Sequence, residues 1–339
     1  MISKLIPMSE ISNLISLEPR PTLHGLIKHF DVNFYKNFKH NEKKESDLKY
    51  MTNEEALIHF LRRGKLEGRV YSKWLYSFID PAFYVTRYPE LKLKSVEDVL
   101  RHWMYIGAFQ KLIPNQLTQD LIDADIQLYQ MGKVASKSIE ASIVNAGYKK
   151  LIPHLHWPDQ LAFSYQDSIY DYAEIINYDT SKPRTFICGV RDPAERVISG
   201  YFQSLSESNS SEEASRKELL KKLATDVGKV IDWFDHKFFS DINIYDYSFD
   251  KKLGYSIIQK NNITIFLYRL DCLKNCWKPL SALTGLNLQP SFKNNSGEKN
   301  YYKEMMEMQY NVNLKERLQE VATDSTYMKH FFLKNTQLH

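Results

Sequence analysis

The sequence predicts an α/β chain in which a parallel sheet flanked by helices follows a small helical repeat domain. Apolar, β-prone runs stand at "DIQLYQM" (125–131), "RTFICGV" (184–190) and "ITIFLYRL" (263–270). Helical patterns such as "SKSIEASIVNAGY" and "PAERVISGYFQSL" separate them, and that alternation builds a parallel sheet with helices on its faces. An internal repeat occupies the first third of the chain. The expected division is therefore a helical domain over residues 1–118 and an α/β domain over 119–339.

The repeat pairs "FDVNFYKNF" (30–38) and "EALIHFLRRGKLEGRVYS" (55–72) with "IDPAFYVTRYPEL" (79–91) and "EDVLRHWMYIGAFQKLIPN" (97–115). Asp31, Phe34 and Tyr35 match Asp80, Phe83 and Tyr84, while His59 and Gly64 match His102 and Gly107. The charged insert "HNEKKES" accounts for the greater length of the first copy. Each copy reads as two short helices ending at a glycine C-cap, with its aromatic pair in the core. The repeats resemble the Asp-Pro-x-Phe-Tyr units found beside bacterial polysaccharide-building domains. That resemblance implies an accessory module with partners in polysaccharide synthesis.

Composition narrows the function classes. The chain has 339 residues, 43% of them hydrophobic, and a formal charge of +4. Residues 1–117 hold 18 Lys+Arg against 13 Asp+Glu, and residues 118–339 hold 27 against 28. That excess is far below the footprint of a nucleic-acid binder. The opening "MISKLIPMSEISNLISLEPR" lacks both a signal-peptide core and a membrane span, so a cytoplasmic protein with no transmembrane segment is expected. Cys188, Cys272 and Cys276 are an odd set, which suits a reducing compartment and offers no zinc spacing; no metal is expected.

Two motifs carry chemistry. After the first β-run, "MGKVASKSI" places Gly132, Lys133, Val134, Ala135, Ser136, Lys137 and Ser138 on a turn that opens a helix. Such a turn aims backbone N–H groups and a positive helix end at one point, and its hydroxyls and ammonium groups add donors. It lacks the glycine-rich run that wraps a triphosphate. After the second β-run, "VRDPAERVISGYF" sets Arg191 at the strand end, Asp192 as N-cap and Pro193 at the first helical position, with Ser199 further along the helix. Arg191 with Ser199 could take a second phosphate, or Asp192 and Arg196 could form an ordinary helix pair.

Together the motifs resemble the 5′-phosphosulfate loop and 3′-phosphate motif of sulfotransferases that use 3′-phosphoadenosine 5′-phosphosulfate (PAPS). The resemblance is nearest to bacterial capsular-polysaccharide sulfotransferases and, more remotely, to 2-O-uronosyl sulfotransferases; it covers roughly residues 120–335. It implies the P-loop-like sulfotransferase fold, PAPS as donor without a metal, and a saccharide acceptor. By matched position, Lys133 would contact the 5′-phosphate and bridging oxygen, and Ser136, Lys137 and Ser138 would complete the cradle. Arg191 and Ser199 would hold the 3′-phosphate, with Lys299 and Tyr301 in "NSGEKNYY" closing over the nucleotide. Ala135 and Lys137 depart from the Gly and Thr of many relatives, which leaves the direction of Lys137 open.

The acceptor hydroxyl needs a base, and "KKLIPHLHWPDQ" supplies His154 and His156 in an irregular, Pro-flanked segment. The uronosyl enzymes have a similar His-x-His whose second member is the base, so His156 is placed first and His154 second. A carboxylate such as Asp159 is the rival. The competing functions are a small-molecule kinase with a degenerate P-loop, and a non-catalytic scaffold of a polysaccharide-synthesis complex.

Overall fold

Asp31 and Asp80 each begin a helix by accepting a hydrogen bond from a backbone amide of the first turn, at Phe34 N (2.9 Å) and Phe83 N (3.1 Å) respectively. The computed structural model describes residues 29–39, 47–155, 179–208, 216–237, 242–291, 303 and 312–333. Two compact units divide the described residues at Asp120/Leu121. No helix among the described residues is long and apolar enough to cross a membrane.

In the first unit the repeat becomes α1 (Val32–Asn37) and α2 (Asn53–His59), then α4 (Pro81–Arg87) and α5 (Val96–His102). A third helix that the sequence reading missed follows each pair: α3 (Lys73–Phe78), capped by Ser72, and α6 (Gln116–Asp123), whose start is bound by Asn115 Oδ1. Asp31 N donates to Tyr71 O and Asp80 N to Pro114 O, so each copy's aspartate is tied to the residue before the cap of its third helix. Tyr35, Phe60, Tyr71, Tyr84 and Trp103 are fully buried together in the core of this unit. The matched tyrosines are thus core residues, as their spacing implied.

The matched glycines do a different job from the expected one. Gly64 and Gly107 end one-turn π-helical extensions of α2 and α5 (Phe60–Gly64 and Trp103–Gly107), and neither has a left-handed φ. Their role is close approach: a Cβ would lie 1.9 Å from Tyr35 Oη at Gly64 and 2.2 Å from Tyr84 Oη at Gly107. Those hydroxyls bond His59 Nδ1 (2.8 Å) and His102 Nδ1 (3.0 Å). Burial raises both tyrosine pKa values and lowers both histidine values. Gly107→Ala is expected to cost about 1–3 kcal/mol by overpacking. Urea unfolding checks this, and an unchanged midpoint would mean that the Tyr84 ring steps aside.

The second unit holds a five-stranded sheet of order β2-β1-β3-β5-β4, with β1 Ile126–Tyr129, β2 His154–Leu155, β3 Arg184–Val190, β4 Tyr255–Lys260 and β5 Ile263–Arg269. All neighbours are parallel except β4 with β5, which form a hairpin through Asn261, at φ +54°, and Asn262. Helix α7 (Ser136–Asn145) follows β1. Helices α8 (Pro193–Ser208), α9 (Arg216–Lys237) and α11 (Val312–Thr323) pack on one another, while α10 (Trp277–Thr284) follows β5 and α12 (Thr326–Phe331) follows α11. Helix α9 buries Leu223, Val227, Val230 and Trp233.

The strands meet because their central residues are apolar on both faces, as a sheet covered on two sides requires. Leu128, Phe186, Ile187, Cys188, Ile265, Phe266 and Tyr268 are all buried. Cys188, Cys272 and Cys276 are free thiols. Parallel pairing aligns the carboxyl ends of β1, β3 and β5, so the turn after β1 and the helix start after β3 emerge at one end of the sheet.

Candidate functional site

The turn after β1 is shaped by two non-glycine residues in the left-handed region, Lys133 (φ +73°) and Ala135 (φ +66°). Such values are costly for residues with a Cβ and persist where surrounding bonds hold them. Tyr268, buried on β5, donates its hydroxyl to Val134 O. Gln130 Oε1 accepts from Gly189 N at 3.1 Å and lies 3.3 Å from the Tyr268 hydroxyl. Gly189 is required beneath the turn, since a Cβ there would lie 2.6 Å from Tyr268 Oη and 2.8 Å from Val134 Cβ. Ala135 O then accepts from Ser138 N (3.0 Å) and Ile139 N (3.2 Å), starting α7 without a side-chain cap.

The second motif clasps the first. Arg191 Nη1 donates to Lys133 O at 3.3 Å and Arg196 Nε to Gly132 O at 3.4 Å. Tyr327 of α12 fixes the backbone of Arg191, donating to its carbonyl at 2.9 Å and accepting from its amide at 3.2 Å. Asp192 caps α8 by accepting from Glu195 N at 3.1 Å, and its other oxygen accepts from Gln319 Nε2 at 2.9 Å. The Asp192 carboxylate and the Arg196 guanidinium thus bond elsewhere than to each other.

The charges here are partly buried. Burial pulls the Arg191 guanidinium below its ordinary pKa, against Glu195 and Asp192, which raise it. Arg196 is lowered in the same way, chiefly by burial, with Asp226 and Tyr327 opposing. Arg191 Nε is buried, makes no hydrogen bond among the described residues and forms a long ion pair with Glu195 Oε2 at 3.8 Å. Glu195 is itself engaged by Lys315 Nζ at 2.7 Å. A buried guanidinium with an unbonded Nε is a donor suited to an anion.

Family models, curated proteins and solved structures offer no match to this chain. The site is therefore described by its own residues. Gly132 and Lys133 line a cavity of about 450 Å³, with Lys133 Nζ donating to Gln203 Oε1 at 2.5 Å. Val134 is buried under the turn, and Ser136 and Ser138 are buried in the first turn of α7. Lys137 turns away along the helix, more than half exposed, and donates to Glu140 Oε2 at 2.8 Å.

Ser199 is buried on α8, and among the described residues no hydrogen bond joins it to Arg191. His154 is not in an irregular segment: it forms β2 with Leu155, paired to Leu128 and Tyr129 of β1, because Leu128 N donates to Pro153 O and Gln130 N to Leu155 O. Its Nδ1 stands 3.9 Å from Glu140 Oε2. His156, Asp159, Lys299 and Tyr301 lie outside the described residues.

Sequence reasoning missed Gln203, Tyr268 and Tyr327, all of which hold the turn or its lysine. Gln203 directly follows the second motif, spaced i+7 from Arg196, so helical periodicity could have placed it on the arginine's face. Tyr268 and Tyr327 act through contacts of 134 and 136 residues' separation, which no local pattern signals. The arrangement as a whole offers cationic and N–H donors at the ends of two adjacent parallel strands. No cluster of three metal-ligating side chains occurs among the described residues.

Proposed function

We propose that this chain transfers a sulfonate group from PAPS to a hydroxyl of a saccharide. The observation that carries this reading is the contact of Arg191 Nη1 with Lys133 O, which ties two anion-binding motifs together at the ends of β1 and β3. A donor with two separate phosphate positions, one of them bearing the sulfonate, needs two such sites side by side. The residues fit that donor: a lysine on the turn, buried serines at the start of α7, and the buried Arg191 with its unbonded Nε.

PAPS supplies a sulfonate on a good leaving group, and the chain's residues supply the rest. Lys133 would neutralise charge growing on the 5′-phosphate as the S–O bond breaks. Gln203 holds that ammonium in place before reaction. Arg191, with Ser199 on the helix behind it, would hold the 3′-phosphate. The acceptor oxygen bonds to sulfur as its proton passes to a histidine, His156 first and His154 second, since a neutral imidazole takes a proton readily near pH 7. The scaffold reading and the kinase reading are outcomes of the same experiment.

That experiment is calorimetric titration of 3′-phosphoadenosine 5′-phosphate, the desulfated donor, into the protein without magnesium. Binding is expected, and Arg191→Ala should weaken it by about 1.5–3 kcal/mol, the worth of a charge-assisted contact. Binding of ATP with magnesium in its place would make the chain a kinase, and binding of neither would leave the scaffold.

A further inference from the structure

The cavity beside Lys133 has an apolar floor and a cationic wall. Met131, Val197, Val230 and Trp233 line it and are buried. Lys133, Arg196, Lys222 and Lys229 line it too, against Asp226 as the one carboxylate in the lining. Lys222, Asp226 and Lys229 fall at i, i+4 and i+7 of α9, so one face of that helix presents all three. Lys229 Nζ donates to Asp226 Oδ1 at 2.8 Å with the lysine side chain 69% exposed, a solvated pair that leaves the wall positive. Arg191 and Ser199, the proposed 3′-phosphate residues, are not among the lining residues.

We infer that this cavity is the acceptor subsite, and that the saccharide it takes is anionic, with Lys222 and Lys229 selecting the negative group. The inference rests on the sulfotransferase reading for its reaction and on the cavity for its chemistry. Lys133 belongs to both: it stands at the turn and it opens into the cavity, so a hydroxyl bound there reaches the ammonium that would serve the leaving group. A volume of about 450 Å³ lies within the span of small-ligand sites. A sugar ring has an apolar face that suits Met131, Val197 and Val230, while Tyr201, half-buried, completes the wall. Four cations against one carboxylate leave the lining with a positive excess that an acidic saccharide would counter and a neutral one would not, so an acidic one is favoured by difference. The two lysines are exposed at the wall, where their charge also steers an anionic chain toward the opening.

The test is an immobilised glycan array of uronate-containing, sulfated and neutral oligosaccharides, probed with wild type, Lys222→Gln, Lys229→Gln and the double variant. All samples contain 3′-phosphoadenosine 5′-phosphate, and its calorimetric affinity is measured for each. Wild type should bind acidic glycans and not neutral ones, and the arms separate carboxylate from sulfate as the recognised group. Each lysine substitution should weaken that signal about tenfold, the loss of one charge-assisted contact. Nucleotide affinity should stay within twofold, which shows the variants folded and the donor site intact. Binding to neutral glycans, binding to none, or an acidic signal that survives the double variant overturns the acceptor inference. Loss of nucleotide binding in wild type overturns the sulfotransferase reading instead.

Discussion

In the proposed sulfonate transfer, Lys133→Ala is expected to lower the rate about 10²–10³-fold, the usual effect of removing one preorganised donor from a site of developing charge. The substitution is a clean one. Lys133 sits at φ +73°, and alanine carries the same Cβ, so the backbone strain of the turn is the same in both proteins. The turn is held by Tyr268 at Val134 O and by Arg191 at Lys133 O, neither of which involves the lysine side chain. What is removed is the ammonium that donates to Gln203. Rates measured with labelled PAPS and an acceptor found by the array would show the loss in turnover, with far-UV circular dichroism unchanged. Transfer within threefold of wild type would remove Lys133 from the mechanism.

Arg184→Met is expected to destabilise the protein by about 2–5 kcal/mol, because two buried carbonyls lose a charged donor. Arg184 begins β3 with its side chain 1% exposed, and its Nη1 and Nη2 donate to Ala124 O and Ile122 O, both at 2.9 Å. Those carbonyls close α6 and lead into β1, where a helix end has no intrahelical donors of its own. Methionine fills similar space and donates nothing. Urea denaturation should show a lower midpoint at unchanged slope, with Arg184→Lys intermediate because one ammonium cannot span both carbonyls. A loss below about 1 kcal/mol would mean that water reaches Ile122 O and Ala124 O.

The three strands that form the centre of the sheet were legible because each is a run of β-prone apolar residues ended by a turn or a helix start. The β-run at 184–190 coincides with β3, and that at 263–270 exceeds β5 by one residue. β2 was not legible, since two residues after a proline carry no period. β4 was missed although Asn261-Asn262 between two β-prone stretches is a hairpin signal. At the site, Lys133 and Arg191 were readable from strand–turn–helix spacing, and the structure brings their motifs into contact. Lys222 and Lys229 were not readable. Their place beside Lys133 depends on how α9 packs against α8, and a lysine on a polar helix face gives no hint of that. The direction of Lys137, open in the sequence, follows from Glu140 lying three residues further along α7.

The order β2-β1-β3-β5-β4 has a consequence for self-association. A strand at the border of a sheet exposes a row of backbone donors and acceptors that another chain can pair with. Among the described residues one border is β2, of which His154 and Leu155 are described. The other is β4, which runs antiparallel to its neighbour and carries Gln259 and Lys260 at its end. The apolar strands β3 and β5, the longest of the sheet, are both interior. Among the described residues the two longest strands are thus paired on both sides, so their own backbone groups offer no open ladder to a second molecule.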